Sequence, residues 1–118
     1  MLPEEVAQIE HDLATAENAR ALGNEGRARV CARRAAGIAI QVYYRSRGEQ
    51  LNKNNVIDGL LKIKNDPLVD PNWKDFADLL LMRVTKNHSL PVQKDLIEET
   101  RRFFAEIVET LRRKSIER

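Results

Sequence analysis

Apolar residues recur along the chain at three- and four-residue steps, the period of amphipathic helices, and the pattern divides into five segments. In the first, Val6, Ile9, Leu13 and Ala16 share a face. Pro3 suits an opening turn, where its missing N–H has no helical partner to lose, and Glu4 and Glu5 sit at the positive end of the helix dipole. Gly23 closes this helix. The second, about residues 24 to 47, places Cys31, Ala35, Ile38, Ala39 and Val42 on one face and Arg27, Arg29, Arg33, Arg34, Arg45 and Arg47 on the other, with Gly48 ending the run. Val30, Gly37 and Tyr44, with Ile40 beside them, add a narrower apolar stripe on the arginine side. That stripe would face another helix of the same chain or a second subunit.

The stretch "NKNNVIDGLLKIKNDP" reads as a short third helix, with Asn54 or Asn55 as cap, Ile57, Leu60 and Leu61 inward, and Asp66-Pro67 as the stop. Asp70-Pro71 starts a fourth by the cap-plus-proline rule, with Trp73, Phe76, Ala77, Leu80 and Val84 on one face and an end near Lys86. Ser89 and Pro91 begin a fifth, whose core stripe is Leu96, Thr100, Phe103, Phe104, Ile107 and Leu111. No segment reads as a strand. Long amphipathic helices joined by short connections favour antiparallel neighbours, so the expected fold is all-α: an antiparallel up-and-down four-helix bundle with an additional short helix.

Length and composition agree with this. The 118 residues fit one domain, 1–118, and only 5 glycines and 4 prolines among 42% hydrophobic and 32% charged residues suit helices better than turn-rich sheets. Charge changes the picture more. Residues 1–18 hold five acidic residues and no lysine or arginine, whereas residues 19–50 hold seven arginines against two glutamates. Such blocks serve as solvated helix faces or as docking faces for an anionic partner. Cys31 is the single cysteine, so no intramolecular disulfide forms, and its apolar neighbours make it a buried thiol. No apolar run approaches the roughly 18 residues of a membrane span and the acidic start is unlike a signal peptide, so a cytoplasmic protein without membrane contact is expected.

Much chemistry is excluded. There is no Walker loop and no dinucleotide fingerprint. The Glu-x-x-His pairs of a di-iron bundle are missing, since Gln8 precedes His11 and Thr85 precedes His88 by three positions. No metal or cofactor is implied. His11 sits on the polar side of the first helix, and adjacent pairs such as Glu98-Glu99 diverge by about 100° on a helix, which suits solvated charge rather than acid–base partnership.

One stretch remains: "RVTKNH", residues 83–88, at the junction of the fourth and fifth helices. Arg83 would hold phosphate oxygens in a planar, permanently charged fork, and His88 would move a proton near neutral pH. The free N–H groups opening the fifth helix would add anion-binding capacity. The spacing alone is unspecific; its position between the last two helices singles it out.

With its long first helix, the alanine-rich "RARVCARRAAGIAIQVYYRSRG", a short helix, a penultimate helix ending "LLLMR" and a long last helix "PVQKDLIEETRRFFAEIVETL", nearly the whole chain resembles the HEPN superfamily, small helical nucleotide-binding domains. Catalytic HEPN members carry Arg-x(4–6)-His near the last helix junction and act as metal-independent homodimeric ribonucleases, some of them toxins of toxin–antitoxin pairs. By that resemblance Arg83 and His88 would be catalytic. Val84 and Leu90 stand where ribonuclease and modification-silenced toxin members carry a polar residue and a tyrosine. Other members lack the histidine and act beside a nucleotidyltransferase partner, and the second helix is at least as close to those. For that branch the resemblance implies a non-catalytic module, with Arg27, Arg33, Arg34, Arg45 and Lys86 contacting phosphate, nucleotide or RNA. A helical dimerisation scaffold is the third reading.

Overall fold

A computed structural model describes residues 1–51, 55–82 and 95–116, with side chains to Arg113. They form α1 (Pro3–Ala21), α2 (Glu25–Ser46), α3 (Val56–Asn65), α4 (Pro71–Leu81) and α5 (Leu96–Ile116), and no strand occurs among the described residues. The protein is all-α.

Local chemistry fixes the helix ends. Gly23 and Gly48 take φ of 79° and 80°, a left-handed conformation that costs glycine little, and so release the chain after α1 and α2. Asn24, Asn55 and Asp70 each accept a backbone N–H from the first turn of α2, α3 and α4, and Pro71 follows Asp70 as expected. α4 ends at Leu81, short of the Lys86 end read from the apolar pattern, because Met82 turns extended with ψ 140°. α5 has a cap the sequence reading missed: Asp95 Oδ1 accepts the N–H groups of Ile97 and Glu98. The earlier start proposed at Ser89 and Pro91 lies outside the described residues.

Cross-helix contacts give the relative directions. Arg45 grips Glu5 and Arg34 grips Asp12, so α1 and α2 are antiparallel. Arg20 meets Asp95 and Arg101 meets Glu17, which sets α5 antiparallel to α1 as well. Tyr43 packs on Trp73 near the start of α4 while Arg33 reaches the carbonyls of Leu80 and Met82 at its end, so α4 runs against α2. α2 is therefore the central helix, packed chiefly against α1, α3 and α5 and touched by α4 through these side chains.

Two kinds of core result. Around α1 and α2 it is built from small residues: Ala16, Ala28, Ala32, Ala35, Ala36 and Ala39 are all at most 1% exposed, together with Ile9 and Leu13. Around α4 and α5 it is aromatic. Phe103 stacks on Phe76 at 4.5 Å, and Trp73 bridges Phe103 and Tyr43 through edge contacts at 5.3 and 4.9 Å.

The narrow stripe of α2 resolves largely to another helix of the same chain. A Cβ on Gly37 would stand 3.0 Å from a methyl of Val56, and one on Gly59 would stand 3.3 Å from Ile40, so α2 and α3 each yield a glycine to the other's branched side chain. Tyr44 is fully buried and donates to Asp66 at 2.7 Å. Val30 departs from the stripe at 53% exposure. Ile57 and Leu61, expected inward, are 42% and 41% exposed, because the close contact at Gly59 turns Val56, Leu60 and Ile63 toward the core instead.

Candidate functional site

The arginines of α2 divide by what holds them. Arg45 makes two hydrogen bonds to Glu5, at 2.7 and 2.6 Å, a fork-to-carboxylate pair that is among the stronger side-chain contacts. Arg45 holds the Glu5 carboxyl below its usual range, outweighing the opposing effect of burial. Arg34 bonds Asp12 at 2.8 Å, and Asp12 is almost wholly buried and also accepts from Gln8. Arg47 lies over the Tyr43 ring and reaches both the Tyr43 hydroxyl and Asp66. Acidic α1 thus neutralises Arg34 and Arg45 of α2, and Asp66 meets Arg47 just past its end.

Arg33 is spent differently. Its Nε and Nη2 donate to the carbonyls of Leu80 and Met82, at 2.8 and 3.4 Å, where the exposed C=O groups at the end of α4 concentrate negative partial charge. Burial lowers its pKa. Arg27 is exposed, and its backbone N–H bonds the Asn24 cap.

Arg29 stands apart, one turn before Arg33. The spacing put it on the polar side, yet it is only 8% exposed, and its Nε and Nη2 have no hydrogen-bond partner among the described residues. Burial, then the positive charge of Arg33, lowers its pKa. Guanidinium N–H groups shut off from water without an acceptor are expensive, because they have lost hydration and gained nothing in exchange. A doubly basic corner, Arg29 with Arg33, is what this end of α2 offers to an anion.

Arg29 was not among the candidate binding residues read from the sequence. The signal was present, since Ala36 and Ile40, two and three turns on, project in nearly the same direction as Arg29. Of the residues that were, Arg34 and Arg45 are tied to carboxylates, Arg33 to carbonyls, and Arg27 is exposed with no side-chain partner among the described residues. Arg83, Lys86 and His88 lie outside the described residues. His11 is exposed, and Cys31 is a buried free thiol, as expected. No group of three or more metal-ligating side chains occurs among the described residues. No described helix is long and apolar enough to cross a membrane.

No family model matches the chain, and no curated protein and no solved structure matches it either.

Proposed function

We propose that the chain is a single-domain, non-catalytic binding module of HEPN type, an up-and-down bundle of α1, α2, α4 and α5 with α3 inserted, that takes a phosphate-bearing ligand at the Arg29–Arg33 corner of α2. One observation carries this reading: Arg29 is buried with no acceptor for its Nε and Nη2 among the described residues, whereas Arg33 and Arg34 are hydrogen-bonded. A phosphate oxygen supplies the acceptor geometry and charge that a guanidinium fork needs. Nucleotides and RNA are the ligand classes the resemblance suggests, and a nucleotidyltransferase is the protein partner it suggests.

The test is titration with labelled RNA and with ATP. Arg29→Ala should weaken binding about tenfold or more, as expected for removing a desolvated charge partner, whereas Arg34→Ala, whose side chain is committed to Asp12, should change it little. Equal effects from the two variants, or no binding at all, would overturn the reading. Incubating RNA with wild type and His88→Ala, with and without chelator, tests the ribonuclease reading in the same samples, where chelator-resistant cleavage lost in the variant would favour Arg83 and His88.

A further inference from the structure

On the opposite side of the charge distribution, α4 and α5 enclose a cleft of about 440 Å³ whose floor is Trp73, Phe76, Leu79 and Phe103. Its walls carry Asp75 and Asp78 from α4 and Glu99 and Glu106 from α5, against one cation among the described residues, Arg102. Two of the four carboxylates are spoken for, Asp78 by Lys64 at 2.9 Å and Glu99 by Arg102 at 3.6 Å. Asp75 and Glu106 have no ion pair among the described residues.

The cleft continues past Trp73 and Glu106, which also line a second hollow of about 330 Å³ with Tyr43, Asp70, Glu109 and Arg113. Measured along α5 from Glu99 to Arg113, the lining of the two hollows extends about 21 Å at the helical rise of 1.5 Å per residue. That is the length of nearly four helical turns. Glu99 and Glu106 stand seven residues apart, so they recur on one face of α5 at the spacing by which a second helix would present its own side chains.

We infer that this groove docks a basic amphipathic helix of another protein, with apolar side chains resting against the edges of Trp73, Phe76 and Leu79 and lysines or arginines meeting Asp75 and Glu106. Charge complementarity selects that occupant. Acidic walls repel acidic segments, and a floor of aromatic rings favours apolar or cationic side chains over water. Burial, then the negative charge of Asp70, raises the pKa of Glu106 against a smaller opposing pull from Arg102.

Trp73 is the only tryptophan in the chain, so its fluorescence reports on the groove alone. The probe is a synthetic amphipathic leucine–lysine helix, with its leucine–glutamate counterpart as control. The lysine peptide should shift Trp73 emission and bind, the glutamate peptide should do neither, and the Asp75→Asn/Glu106→Gln double variant should weaken binding about tenfold while keeping the wild-type melting temperature to within a few degrees. These two substitutions break no ion pair among the described residues. Unchanged affinity in the double variant, or binding without a Trp73 response, would overturn the inference. So would spermine displacing the peptide while itself producing the full emission shift, which would make the occupant a small polycation, or a wild-type dimer that the double variant dissolves, which would make it a second copy of the chain.

Discussion

The seam between α1 and α2 and the seam between α4 and α5 solve the same packing problem with opposite materials. Alanines let α1 and α2 approach closely, and the acids of one helix meet the arginines of the other, as Glu5 does Arg45 and Asp12 does Arg34. Across α4 and α5 the filling is aromatic, and Asp75 and Asp78 line one cleft with Glu99 and Glu106. Rings hold the helices apart and leave a cleft. A closed, charge-matched seam is suited to holding the fold together, whereas an open, charge-unmatched one leaves free energy available for a partner.

The largest expected effect lies in the aromatic seam. Phe103→Ala should lower unfolding free energy by about 3–5 kcal/mol in urea titration, since Phe103 is 1% exposed and contacts both Phe76 and Trp73. A loss below that range would mean the cleft collapses to fill the void, and the contrast between seams would weaken. Next comes overpacking of the alanine seam: Ala16→Leu, at a fully buried position, should cost about 1–3 kcal/mol in the same assay. A neutral outcome would show that α1 yields and that the seam is looser than its small residues imply.

Acidification should separate the seams by sign. Glu5 has its folded-state pKa depressed below the ordinary 4.5 through Arg45, so its stabilisation is complete above that value and is lost as pH falls through the lowered one. Glu5→Gln should therefore cost about 1 kcal/mol at pH 7 and flatten the acid limb of a stability–pH curve. Glu106 behaves in reverse. Its pKa is raised by burial, then by Asp70, so its charged form is a penalty at pH 7 that is relieved as pH falls through the raised value. Glu106→Gln should raise the melting temperature at pH 7 by about 2 °C, the smallest effect of the set, and have no effect well below the Glu106 pKa.

The sequence carried the helix count and most helix ends because those depend on local chemistry: Asp70-Pro71, Gly23 and Gly48 act within a turn of themselves. It also carried the core of α1, where Ile9, Leu13 and Ala16 face a single side. α2 was harder to read. A helix with neighbours on three sides has no single apolar stripe, and its alanines give weak contrast, so Arg29 was assigned to the polar face although it is enclosed. On α3 the pattern favoured large side chains over glycine, which hid the contact at Gly59 and put Ile57 and Leu61 on the wrong side. The cleft was illegible for a different reason: Glu99 and Glu106 belong to one helix and Asp75 and Asp78 to another, and only the fold brings them to one cleft.

The reciprocal glycines of α2 and α3 bear on how this sequence can drift. Gly37 accommodates Val56 and Gly59 accommodates Ile40, so neither helix can gain bulk at its glycine unless the other surrenders some at the matching position. In any lineage that keeps this crossing, changes at 37 and 56, and at 40 and 59, should be inherited as pairs, and a lineage that fixed one member alone would have to move α3 off its seat.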